Sequence, residues 1–235
     1  MHHFLAALVL LLLLLCAPLP RSLADQGTAA LPPGFVVLDT QATGIQLDLR
    51  YASSRNFIGE RIDGYLGDHL ILTQEAAEAL TRVQQELQPF GLGLKVFDGY
   101  RPQRAVDHFV RWAADLADTR MKEEYYPEVD KKDLFKDGYI AARSSHSRGS
   151  TVDLTIVALR DGATGEELDM GSSFDLFGPR SWPDNPEVPA PSRAHRLLLQ
   201  TLMKKHGFLP YAQEWWHFTL KDEPFAESYF DFPVQ

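Results

Sequence analysis

One cysteine, Cys16, stands in 235 residues. A single thiol closes no internal disulfide, and this one falls inside an apolar leader expected to be removed. The fold must then stand on its hydrophobic core alone. A Cys-based zinc site or a cysteine protease is excluded from the mature chain. A unit of this size buries roughly 70% of its unfolded surface, which is enough to stand without cross-links. Apolar residues make up 45% and charged residues 23%, a globular balance that excludes collagen, coiled coil and disorder. The net charge is −9, with no basic stripe, so no nucleic-acid partner is expected.

Phe4 to Ala17 is an unbroken apolar run without a charge. At 1.5 Å per residue it is too short for a hydrocarbon core about 30 Å thick, and it suits the core of a signal peptide. Ser22-Leu23-Ala24 puts small residues at the −3 and −1 positions of a cleavage site before Asp25. Residues 1–24 are therefore expected to be a signal peptide and 25–235 one exported domain, periplasmic or extracellular. No stable membrane insertion is expected after cleavage. A lipid anchor on Cys16 is disfavoured by the large Leu15 before it.

The remaining chain reads as an irregular mixture of helices and short strands, hence α+β. Phe35–Leu38 and Ile45–Tyr51 read as strands. Leu72–Gln88 reads as a helix capped by Thr73, with Ala76, Leu80, Val83 and Leu87 on one face. Gly93–Phe97 is predicted as a strand leading into the turn Asp98-Gly99-Tyr100-Arg101-Pro102, and Pro102 opens a helix to about Ala117. Thr151–Leu159, TVDLTIVAL, is β-branched and mostly apolar, a buried strand. Asp118–Ile140 is charged and weakly periodic, a helix end plus surface loop. Arg180–Pro191 carries four prolines and reads as a loop. Ser192 is expected to cap a helix with Leu198, Leu202 and Met203 inward. Phe208–Tyr211 and Trp215–Leu220 read as closing strands.

There are eight histidines. His69, His108, His195 and His206 lie on or beside predicted helices without a matched acidic neighbour, and read as ordinary surface or helix-end residues. His146 and His217 differ. His146 precedes Gly149, a turn residue, and the strand that carries Asp153. His217 closes Glu214-Trp215-Trp216-His217 on the last strand. Two imidazoles and a carboxylate form a catalytic zinc set with one position open, at ligand distances of about 2.0–2.2 Å. Spacing alone leaves both a metal site and an ordinary loop and strand open. A spacing of three in a regular strand puts Glu214 and His217 on opposite faces, so sharing a site requires a bulge or a position before the strand proper. H-E-x-x-H, G-x-S-x-G and phosphate-loop motifs are all missing from the sequence.

Asp98-Gly99-Tyr100-Arg101-Pro102, Ser144-Ser145-His146-Ser147-Arg148-Gly149-Ser150-Thr151-Val152-Asp153-Leu154 and Glu214-Trp215-Trp216-His217-Phe218, in that order, resemble the D-alanyl-D-alanine dipeptidase family. Leu47–Ala52 with Asn56-Phe57 and Gly59, and Asp169-Met170-Gly171 with Phe174-Asp175, are similar to further stretches of it. The resemblance runs from about Val36 to the C-terminus. It implies a small α+β zinc metallopeptidase with a central antiparallel sheet flanked by helices. One Zn2+ would be bound by His146, Asp153 and His217, with Glu214 as catalytic base and Arg101 stabilising the transition state. The implied reaction is hydrolysis of the free dipeptide D-Ala-D-Ala, a small-molecule substrate. The family's well-known members are cytosolic. The leader departs from them and points to recycling or nutrition rather than drug resistance.

Such a substrate presents a free ammonium and a free carboxylate two residues apart, which demands a closed pocket. Asp118–Ile140 and Arg160–Pro191 are long enough to wall it. Asp175 is a candidate for the ammonium, and Ser144 or Ser145 for the peptide backbone. Of Trp215 and Trp216, alternation puts one in the core and the other near the site, with core packing the default for both. Two rivals remain: a zinc D,D-carboxypeptidase trimming peptidoglycan stem peptides, and a non-catalytic wall-binding module. The presence of both Glu214 and Arg101 argues against the second.

Overall fold

The computed structural model describes residues 31–160 and 165–235. The expected leader, residues 1–24, lies outside them. Along the chain come β1 (Phe35–Val37), α1 (Thr40–Thr43), β2 (Gln46–Leu47), β3 (Ile71–Thr73) and α2 (Gln74–Leu87). They are followed by β4 (Leu92–Asp98), α3 (Gln103–Ala114), α4 (Lys122–Tyr125), β5 (Thr151–Leu159) and β6 (Gly165–Glu167). The last are α5 (Ala190–Lys205), β7 (Phe208–Tyr211) and β8 (Glu214–Leu220). Six strands form one sheet in the order β2-β4-β5-β8-β7, with β6 pairing on β5, and β1 and β3 form a separate pair. All pairings are antiparallel except β2 with β4, which is parallel. The expected α+β class and central sheet agree with this architecture.

β5 is the central strand, and its first seven residues are buried. Val152, Leu154 and Ile156 alternate onto one apolar face and Thr151, Asp153 and Thr155 onto the other, and both faces are covered. α2 and α5 pack against the sheet and each other. α2 buries Ala76, Leu80, Val83 and Leu87 as the periodicity predicts, and Thr73 Oγ1 accepts the Ala76 N–H at its start. Buried Gln84 lies on the same helix, and its Oε1 accepts the Leu94 N–H at 2.7 Å, tying α2 to β4.

Four expectations are corrected. The strand from Ile45 stops at Leu47, and Arg50–Ala52 form a 3-10 turn that buries Tyr51. α5 begins at Ala190 after Pro189 rather than at Ser192, and Leu198 is exposed. Leu202 and Met203 face inward as expected, and Arg196 and Leu199 join them in a set with helical spacing. The segment 118–140 is part core: Tyr125, Tyr126, Leu134 and Ile140 are buried. Lys131 is buried there too, its ammonium donating to the Asp115 and Asp118 carbonyls and lying 4.0 Å from the Trp112 ring centre. Finally, two helix-side histidines do have acidic partners. His108 pairs with Glu60 at 3.2 Å and His206 with Glu86 at 2.8 Å, from segments distant in sequence.

The C-terminal stretch closes the molecule. Phe225, Phe230 and Phe232 surround Phe35, and Phe232 stacks on Tyr100 with ring centres 4.0 Å apart. Val234 bridges to Tyr65.

Gly149 links this packing to the site. It ends the turn Ser145–Arg148 at φ +85°, and a Cβ there would lie 2.2 Å from a carbon of the Phe35 ring. Left-handed strain and overpacking each cost about 1–3 kcal/mol. Gly149→Ala is therefore expected to destabilise the fold by about 2–5 kcal/mol in urea unfolding. A midpoint unchanged from wild type would contradict this.

Candidate active site

The sheet register builds the first part of the site. Asp98 on β4 pairs with Asp153 on β5, and Asp153 pairs with His217 on β8, so the three residues lie in one row across neighbouring strands. Strand alternation turns Asp153 away from the face of Val152 and Leu154. His146 comes from outside the sheet, on the one-turn 3-10 segment before β5. Ser144 caps that turn by accepting the His146 N–H. Gly149 then lets the chain reverse into the strand, bringing His146 back over Asp153.

The three side chains converge. His146 Nε2 lies 3.2 Å from Asp153 Oδ2 and 3.2 Å from His217 Nδ1, and His217 Nδ1 lies 3.1 Å from Asp153 Oδ1. Donors held about 2.0–2.1 Å from a common tetrahedral centre lie about 3.3 Å apart, so these spacings suit one small cation. Two further observations fit. His146 Nδ1–H donates to the Gly99 carbonyl at 2.8 Å, which fixes the tautomer and leaves the Nε2 lone pair facing the carboxylate. Asp153 Oδ1 is buried with no hydrogen-bond partner among the described residues. A lone pair opposed to a carboxylate, beside an unsatisfied carboxylate oxygen, is unfavourable unless a cation lies between them. Burial works against a charged Asp153, but the two imidazoles outweigh it and hold its carboxyl well below the usual range. Burial, reinforced by Arg101, lowers the His146 pKa below the usual imidazole range, while Asp153 opposes the shift.

Glu214 reaches the same face despite its spacing of three. Tyr211 pairs with Glu214, whereas the preceding Pro210 pairs with Phe218, so β8 bulges through Trp215–His217. The bulge brings Glu214 Oε2 to 3.5 Å from His217 Nδ1. Burial pushes the Glu214 carboxyl up to about 7; the charge of Asp153 adds to this, and His217 and Arg101 oppose it. A cation held nearby would draw it down again.

Arg101 is held from several sides. Its Nε donates to Asp98 Oδ2 at 2.9 Å and an Nη to Asp153 Oδ2 at 3.4 Å. Its guanidinium carbon lies 4.9 Å from the Tyr51 ring centre and 5.1 Å from that of Phe109. Asp98 is fully buried and also accepts the Tyr65 hydroxyl at 2.6 Å. A rigid, permanently charged fork is thus fixed at the wall of the site.

A cavity of about 410 Å³ opens over these groups. Asp175 lies in its wall, buried, in the left-handed region at φ 60°, and accepts the Tyr51 hydroxyl at 2.9 Å. Burial, then the charge of Asp153, raises its pKa well above the usual range, while Arg101 and the Tyr51 hydrogen bond oppose the shift. Ser144 and Ser145 also line the cavity, and Ser145 Oγ sits 3.3 Å from His217 Nε2. Both long segments contribute wall, through Tyr139 and Ile140 from one and Phe177 from the other. Neither tryptophan does. Trp215 is buried with its Nε1–H on Ser172 Oγ, and Trp216 packs edge-on to Phe174, because the bulge takes both out of simple alternation.

The D-ala-D-ala dipeptidase family, Peptidase_M15, matches residues 32–235. The chain belongs to that family. A D-alanyl-D-alanine dipeptidase of Streptomyces coelicolor is 46% identical over 200 residues, covering 85% of this chain and 98% of the relative. D-alanyl-D-alanine dipeptidases of Enterococcus faecium and Enterococcus faecalis are 42% and 43% identical, each over 86% of this chain and 98% of the relative. All the residues placed in the site lie inside the part matched to the D-ala-D-ala dipeptidase family, and the expected leader lies before it. Sequence reasoning missed three positioning residues: Tyr51, Tyr65 and Phe109. The role of Asp98 was also missed, although its place three residues before Arg101 is an opposite-charge spacing that marks such a pair.

Proposed function

We propose that this chain hydrolyses free D-Ala-D-Ala to two D-alanines, with one Zn2+ held by His146, Asp153 and His217. The convergence of those three donors around an unsatisfied Asp153 oxygen carries the reading. Bound there, zinc would supply Lewis acidity and bring the pKa of water toward about 7. Glu214, beside the ligands, takes the proton of the attacking water and passes it to the departing amine. Arg101 faces the negative charge that develops on the scissile carbonyl, and its fixed placement means it need not reorganise at that moment. Asp175, buried in the wall, takes the substrate ammonium. Ionising beside a cation relieves the cost of its burial.

The test is turnover of free D-Ala-D-Ala, N-acetyl-D-Ala-D-Ala and L-Ala-L-Ala by purified protein, with and without chelator. The free D,D-dipeptide is expected to be cleaved. Acetylation is expected to lower kcat/KM roughly 10–100-fold, the worth of a charge-assisted hydrogen bond. Asp175→Asn is expected to remove most of that discrimination. Preferred turnover of the acetylated peptide would instead identify a D,D-carboxypeptidase.

We further propose export through the leader at residues 1–24, supported by the apolar run and the small residues before Asp25. No helix among the described residues is long and apolar enough to cross a membrane. N-terminal sequencing of the secreted protein should start at Asp25, and a start at Met1 would refute cleavage.

A further inference from the structure

The charged side chains that line the cavity can be matched against the two ends of a free dipeptide. On the anionic side, Asp153 faces the two imidazoles, Glu214 stands beside His217, and Asp175 remains for the ammonium. The arginines lining it are Arg101 and Arg143. The charge of Arg101 is already engaged: it is salt-bridged to Asp98 and Asp153 and enclosed by two aromatic rings. Arg143 differs in its exposure and in its ion pairing. It is exposed at the cavity wall, and no carboxylate lies within ion-pair distance of it among the described residues. Its guanidinium lies over the Tyr229 ring, 4.9 Å from the centre, a contact that limits the side chain's freedom and leaves its N–H fork open. It immediately precedes Ser144 and Ser145, whose side chains line the same cavity.

We infer that Arg143 is the residue that recognises the free C-terminal carboxylate of the substrate, steadied by Tyr229. The inference rests on the dipeptidase reading above and adds a specificity-determining residue to it. A guanidinium pairs with a carboxylate through two parallel N–H···O bonds, and a neutral amide cannot accept them in the same way. Arg143 thus distinguishes a dipeptide that ends in a carboxylate from one that continues or is capped.

The experiment compares D-Ala-D-Ala with its C-terminal amide, D-Ala-D-alaninamide, on wild type, Arg143→Gln and Arg143→Lys. Arg143→Gln is expected to raise KM for the free acid roughly 10–100-fold with kcat little changed, and to leave kcat/KM for the amide where it was. The wild-type preference for acid over amide then collapses. Arg143→Lys keeps the charge without the fork and should recover part of it. Melting temperature and zinc content should stay at wild-type values, since the side chain is exposed. An equal loss on both substrates, or no loss on either, overturns the assignment of Arg143. Wild-type protein that fails to cleave D-Ala-D-Ala at all overturns the dipeptidase reading, a separate outcome.

Discussion

Glu214→Gln is expected to lower kcat for D-Ala-D-Ala by about 10²–10⁴-fold while zinc content stays at one ion per chain. The substitution keeps the volume and position of the side chain and removes its ability to take a proton. Glu214 is not one of the three converging donors, so metal binding should survive. The bulge in β8 that delivers Glu214 is set by backbone pairing with β7 and should also persist. Steady-state kinetics together with elemental analysis on the same preparation tests both halves. Wild-type turnover by the variant would remove Glu214 from its role as base. Loss of zinc together with activity would make it a ligand instead.

Metal removal should have the other large effect. With zinc stripped by a chelator, turnover is expected to fall to background and to return on adding zinc back. Stability should change in parallel. A ligand that binds only the native state, at a thousand times its Kd, stabilises it by about 4 kcal/mol. Here the gain has a visible origin, because without a cation the Asp153 Oδ1 atom is buried and unsatisfied. His146→Ala should lose stoichiometric zinc, zinc-dependent stabilisation and activity together. Thermal melts with and without zinc, read beside activity, test this. A chelated protein that keeps its activity and its melting temperature would exclude the metal site.

How much of this was legible in the sequence depended on the range of the interactions involved. β5 and β7 were read to the residue because their patterns are local. The five principal site residues were legible because three motifs occur in a fixed order, not because any one spacing demanded a site. The sequence-level conflict over Glu214 and His217 was real, and a bulge resolves it. What stayed hidden is long-range. Tyr51 was assigned to a strand, yet it turns inward to meet Asp175, 124 residues away. The Tyr65 hydroxyl finds Asp98 across 33 residues. Glu86 meets His206 across 120. Such partners leave no periodic trace, and neither does a buried lysine like Lys131, whose carbonyl cage forms only when its loop folds back.

The stacking of Phe232 on Tyr100 has a consequence for the order of events during synthesis. Tyr100 neighbours Arg101, and its hydroxyl is held by the Phe232 carbonyl, 132 residues later in the chain. Translation therefore produces His146, Asp153, Glu214 and His217 before it produces the residue that holds Tyr100. The last of them, His217, comes only 15 residues before Phe232, so these groups and the Tyr100 brace are made close together. The turn that carries Arg101 thus gains its Tyr100 anchor after all the strands of the sheet have been made.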